Sequence, residues 1–111
     1  MPSSYSCPVE LATDVIGGRW RTVLLSRLKE GVHRYGELRR LVPGISEKML
    51  SQRLRELEAD GLITRRDLGT VPPHVEYELT AAGHSLAPVL QALYDWGLGR
   101  ARSEGIDVGV D

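Results

Sequence analysis

Apolar residues recur at helical spacing in several stretches of the chain and alternate in one. Pro8 suits the first turn of a helix, and Val9, Ala12, Val15 and Ile16 follow until Gly17-Gly18 interrupts the pattern. Trp20, Val23, Leu24 and Leu28 mark one face of a second helix. Its other side carries Arg19, Thr22, Ser26 and Lys29, and Gly31 is its stop signal. Residues 32–35 are too few for a helix and fit a short strand. A brief third helix is expected over 36–41, stopped ahead of Pro43 because the residue before a proline disfavours helical geometry.

Ser46 is a good N-cap for a fourth helix built on Leu50, Leu54 and Leu57 and closed by Asp60-Gly61. Helices three and four, joined by Val42-Pro43-Gly44-Ile45, have the arrangement of a helix-turn-helix. Residues 62–66 and 75–79 then read as two strands around a Gly- and Pro-containing loop, which makes a wing. Thr80 caps a last long helix whose stripe of Leu86, Val89, Leu90, Leu93 and Trp96 needs a partner. Pro88, inside that stripe, either kinks the helix or marks a start. The fold class expected is mainly α with a small β-hairpin wing, a winged helix-turn-helix. The single domain is expected over residues 7–102, between a flexible N-terminus at 1–6 and a flexible tail at 103–111.

Composition narrows the setting. The chain has 111 residues, 41% of them apolar, and no Phe, so the core must come mainly from Leu, Val and Ile. No apolar run approaches the ~20 residues of a membrane span, and the first residues lack the regions of a signal peptide, so a cytoplasmic protein is expected. The single cysteine, Cys7, excludes an intrachain disulfide. The scattered His33, His74 and His84 give no metal-ligand spacing, and no cofactor is indicated.

Charge changes the picture more. The whole chain carries −1, but residues 19–66 hold 12 basic and 6 acidic residues, a balance of +6, against 2 basic and 9 acidic elsewhere, a balance of −7. A basic middle between acidic ends is what an anion-binding face looks like in sequence, and a solvated charged surface is the alternative. On the fourth helix the inward Leu stripe sends Lys48, Gln52 and Arg55 outward, with Ser51 at the flank. Lys or Arg suits guanine O6 and N7, and Gln suits adenine N6 and N7, so this face fits the edges of bases in a major groove. Ser46 and the helix N-terminus suit a phosphate. Arg53, nearer the core flank, is expected to reach a backbone phosphate. Arg39, Arg40 and one of Arg65 and Arg66 are expected on phosphates flanking the groove. His74 and Thr70 near the wing tip are weaker candidates for a wing contact. Cys7, ahead of the first helix, is a candidate redox thiol, with a packing or capping role as the alternative.

The quoted residues also carry a resemblance that spans Cys7 to Gly97. Cys7-Pro8, Ile16-Gly-Gly-Arg-Trp20, Arg34-Tyr-Gly-Glu-Leu38, Gly44-Ile-Ser46, the run Leu50 to Glu58, Asp60-Gly-Leu62, Pro73-His-Val-Glu-Tyr77, Leu79-Thr80 with Gly83, and Asp95-Trp-Gly97 occur in the order found in HxlR-type regulators. The chain resembles that family. The resemblance implies a homodimer on duplex DNA, paired through its terminal helices on a roughly palindromic operator. It also implies, for some members, a thiol sensor at the place of Cys7. A small-molecule or oxidant effector is compatible with it. Arg19 and Tyr35 stand where Lys and Phe are usual. Asp67 to Thr70 replaces an aromatic-Pro sequence and His74 a basic residue, which puts a minor-groove contact by this wing in question. No catalytic constellation is visible, so an enzyme is not expected. The rival reading is a winged helix used only for protein–protein contact, which should present an apolar or acidic outward face on the fourth helix.

Overall fold

The computed structural model describes residues 2–109; Met1 of the expected N-terminal segment and residues 110 and 111 of the expected tail lie outside the described residues. In chain order the elements are α1 (Pro8–Ile16), α2 (Gly18–Lys29), β1 (His33–Arg34), α3 (Tyr35–Leu41), α4 (Glu47–Ala59), β2 (Ile63–Asp67), β3 (Val75–Leu79), α5 (Ala81–His84) and α6 (Ala87–Glu104). The strands form one antiparallel sheet in the order β1-β3-β2.

Local chemistry sets the boundaries. Cys7 is the N-cap residue of α1 with Pro8 in its first turn. Gly17, at φ +77°, closes α1 in the left-handed conformation that favours glycine and opens α2 at once. Ser46 Oγ accepts from the Met49 amide at 3.1 Å, satisfying one of the free donors of the first turn of α4. Leu24, Leu25 and Leu28 of α2 meet Leu38 of α3, Leu50, Leu54 and Leu57 of α4, and Ile63, Tyr77 and Leu79 of the sheet in one core. Val42 and Ile45 anchor both ends of the turn between α3 and α4, so the helix-turn-helix is held from below by apolar burial.

Two expectations are corrected. The long last helix divides in two: α5 ends at His84, and Pro88 sits in the first turn of α6, where its missing N–H costs no intrahelical bond. The end of α6 also passes the expected boundary at residue 103. An Arg100 to Glu104 contact, one turn apart, supports the last turn before Gly105 caps it at φ +67°.

The corner between wing and α5 is tight. Thr80 Oγ1 donates to the Gly61 carbonyl at 2.6 Å and accepts from the Gly83 amide at 3.1 Å, and the Thr80 amide donates to the Leu62 carbonyl at 3.0 Å. A Cβ on Gly83 would lie 2.2 Å from that Leu62 oxygen, which is backbone and already engaged. Gly83→Ala is therefore expected to lower stability by about 1–3 kcal/mol through overpacking. The sign opposes helix propensity, which favours Ala by about 1 kcal/mol. Urea denaturation of the two proteins decides between them, and an unchanged or raised midpoint would mean that the Leu62 backbone yields.

Candidate nucleic-acid interface

The N-terminal half of α4 is positioned by α3. Tyr35, first residue of α3, donates its hydroxyl to the Glu47 carbonyl at 3.3 Å and lies 3.3 Å from Ser51 Oγ, while Arg39 Nη1 reaches Glu47 Oε1 at 2.5 Å. With Leu50, Leu54 and Leu57 buried, Lys48, Gln52 and Arg55 are exposed on the opposite face and Ser51 is half-buried between. Two of the α4 carboxylates that could neutralise this face are engaged with other arginines, while Glu58, one turn beyond Arg55, is exposed beside it. Glu47 pairs with Arg39, and Glu56 with Arg53 at 2.5 Å and Arg21 at 3.7 Å. Among the described residues Lys48 and Arg55 have no ion-pair partner, so their charge is available to a ligand. Arg53 is turned to Glu56, and Arg40 is exposed on α3.

The register of the sheet separates the two wing arginines. Arg65 is opposite Tyr77 and Arg66 opposite Glu76, and residues directly opposite share a face. Tyr77 is buried against the helices, so Arg65 shares the helical side. It lines a cleft of about 350 Å³ together with Tyr35, Ser51, Leu54, Arg55, Glu58 and Tyr77. Arg66 is on the other face, 3.0 Å from Glu76, which also meets His74 Nε2 at 3.0 Å. The Arg66 hydrogen bond first, and His74 after it, hold the Glu76 carboxyl below the ordinary carboxylate range. Thr70 gives its hydroxyl to the Pro72 carbonyl at 2.8 Å. Ser46, Lys48, Ser51, Gln52, Arg55 and Arg65 thus border one surface, while Arg66 and His74 both engage the Glu76 carboxylate and Thr70 serves its own loop.

The stripe on α6 separates into two seams. Leu90 is 1% exposed and belongs to the chain's own core, and Leu86 is half-buried against that core. Val89, Leu93 and Trp96 stand in the open on an adjacent seam, Trp96 at 69% exposure. Val9 and Leu11 on α1, Tyr94 on α6, and Ile106 and Val108 after it are exposed too. Cys7 is exposed at the start of α1. A shallow cleft of about 450 Å³ between α2 and α6 is bordered by Val23, Ser26, Lys29, Gln91 and Tyr94, with Lys29 Nζ donating to Gln91 Oε1 at 3.2 Å.

The sequence pattern did not single out Arg21, which the fold buries against the ends of α1 and α4. No local signal marks it, because Arg21 belongs neither to the apolar run of Trp20, Val23, Leu24 and Leu28 nor to the polar side of Arg19, Thr22, Ser26 and Lys29.

Comparison with known proteins agrees with this geometry. The family model for an HxlR-like helix-turn-helix matches residues 15–104. The uncharacterized HTH-type transcriptional regulator YtcD of Bacillus subtilis (strain 168) is 52% identical over 93 residues, 84% of this chain and 74% of that protein. YtfH of Escherichia coli (strain K12), named in the same way, is 44% identical over 90 residues, 81% of this chain and 71% of that one. Among solved structures, the redox regulator HypR superposes in its oxidized form with a TM-score of 0.80 and 41% identity, covering 94% of this chain and all of that one. Its reduced form gives 0.81 and 43%, covering 89% and 99%. The chain is a helix-turn-helix transcriptional regulator and belongs to the HxlR-like family.

Proposed function

We propose that this regulator binds duplex DNA as a homodimer on a roughly palindromic operator. The observation that carries the reading is the outward face of α4, where Lys48, Gln52 and Arg55 are exposed and the nearby carboxylates of Glu47 and Glu56 are paired with other arginines. Donors of this kind on a helix narrow enough for a major groove recognise base edges. Ser46 and the first amides of α4, with Arg39, Arg40 and Arg53 beside them, supply phosphate contacts, and Arg65 is the wing arginine on the same side. The exposed seam of Val89, Leu93 and Trp96 is apolar enough to require cover, and a second copy of the chain supplies it with the symmetry a palindrome needs. Two recognition helices set about 34 Å apart then meet successive major grooves. The functional unit is the domain from Cys7 to the end of α6 at Glu104.

Among the described residues no helix is long and apolar enough to cross a membrane. A cytoplasmic regulator acting by binding, with no catalytic site, follows from the same reading.

The test is a mobility shift with fragments of the gene's own upstream region, over a range of salt and with scrambled competitor. A specific shift that weakens as salt rises supports the proposal, because phosphate neutralisation releases counterions. Failure to bind this or any other promoter fragment at low salt would favour a winged helix used for protein contact.

Regulation through Cys7 accompanies this reading. The thiol is exposed at the start of α1, and the similar HypR is named a redox regulator. With one cysteine per chain, two thiols of a dimer, or one thiol and a small thiol, would be oxidised to a disulfide by an oxidant that takes up the electron pair. After mild oxidation, non-reducing electrophoresis should give a dimer band that Cys7→Ser lacks, or Cys7 should carry a mixed disulfide. Persistence of the free thiol would count against the switch.

A further inference from the structure

Arg21 is the buried charged side chain of the described core, 7% exposed. A guanidinium out of water is costly unless its donors find acceptors, and here they come from two helices other than its own. Nη2 donates to the Val15 carbonyl at 2.7 Å and Nε to the Ile16 carbonyl at 3.2 Å, in the last turn of α1. On the other side Nη2 is 2.8 Å from Asp60 Oδ2 and Nη1 is 3.7 Å from Glu56 Oε1, at the end of α4. Both helix ends are negative dipole ends, and neither helix has a basic residue in its own last turn. At α1 Arg21 takes up last-turn carbonyls, and at α4, where backbone amides already cap the carbonyls of Glu56, Leu57 and Glu58, it meets carboxylates. Gly17 leaves the space: a Cβ there would fall 2.2 Å from Arg21 Nε. Helix α1 contributes no buried residue of its own, so this guanidinium is its main polar anchor.

We propose that Arg21 is a positioning residue that locks the end of α1 to the end of α4, so that the two helices are oriented as one unit. Helix α1 carries Cys7 and the exposed Val9 and Leu11, and α4 carries Lys48, Gln52 and Arg55. A displacement of α1, imposed by a second subunit or by modification of Cys7, is passed to α4 through Arg21. The consequence for DNA rests on the reading of α4 given above, but the linkage does not.

The experiment measures the linkage without DNA. Spin labels on Cys7 and on Gln52→Cys, in full-length protein diluted with unlabelled chains, report the distance within one chain between the start of α1 and α4. The parent is expected to give one narrow distribution. Arg21→Gln and Asp60→Asn are each expected to shift or broaden it while far-UV circular dichroism stays that of a folded helical protein. Arg21→Lys should do the same, since an ammonium keeps the charge but lacks the planar fork that serves both helix ends. Asp60 is half-exposed, so Asp60→Asn decides the matter if Arg21→Gln does not fold. An unchanged distribution, even with a lowered melting temperature, would make Arg21 a stability contact only and overturn the proposal. A shifted distribution in a protein that binds no promoter fragment would uphold the linkage and count against the DNA reading alone.

Discussion

The protein carrying Leu93→Asp and Trp96→Asp is expected to sediment as a monomer and to lose operator affinity on the order of 10²–10⁴-fold, the factor by which linking two half-site contacts exceeds one. Both side chains are exposed, so carboxylates there stay hydrated in the isolated chain and the fold survives. Leu90 and Ala101, which dock α6 on the core, lie on the other seam and are untouched. In a dimer closed over Leu93 and Trp96 the four new carboxylates would be buried without partners, and unpaired buried charge is strongly destabilising. Sedimentation and a mobility shift on the same preparations test this. A dimer that persists would move the interface to the other exposed apolar residues, Val9 and Leu11 on α1 or Ile106 and Val108 after α6.

The contrast between those two seams also marks where sequence pattern stops being informative. Periodicity placed Leu86, Val89, Leu90, Leu93 and Trp96 on one helix, but a stripe this wide serves two neighbours. Only the packing of α6 on α2 tells which edge is already covered. Helix α4 was fully legible because its signals are local: a Ser46 cap, a Leu50-Leu54-Leu57 stripe and Gly61 after the end. The wing strands were legible from alternation, yet alternation says only that Arg65 and Arg66 point opposite ways. The register against Tyr77 and Glu76 supplies the side. Pro88 was ambiguous for a similar reason, since a proline is as suited to starting a helix as to kinking one. Arg21 was invisible because its acceptors at residues 15, 16, 56 and 60 converge only after α1, α2 and α4 have packed.

Arg55→Ala and Lys48→Ala are each expected to weaken operator binding by about 1–3 kcal/mol, roughly 5- to 150-fold, with the loss concentrated at the base pair each contacts. Neither side chain packs in the core or holds a carboxylate among the described residues, so stability should change little and the affinity loss reports the contact itself. Arg40→Ala makes the useful contrast. A phosphate contact carries no sequence information, so its loss should weaken operator and scrambled DNA alike and reduce the salt slope by about one counterion. The wing supplies a second contrast inside one strand. Arg65, on the side of α4 and without an ion pair among the described residues, should lower affinity when replaced by Ala. Arg66, turned away and paired with Glu76, should not. Affinities of the five variants on operator and scrambled fragments test the whole arrangement. Equal binding by Arg55→Ala and the parent would remove Arg55 from the interface, and a larger loss from Arg66 than from Arg65 would mean that the other face of the wing meets the DNA.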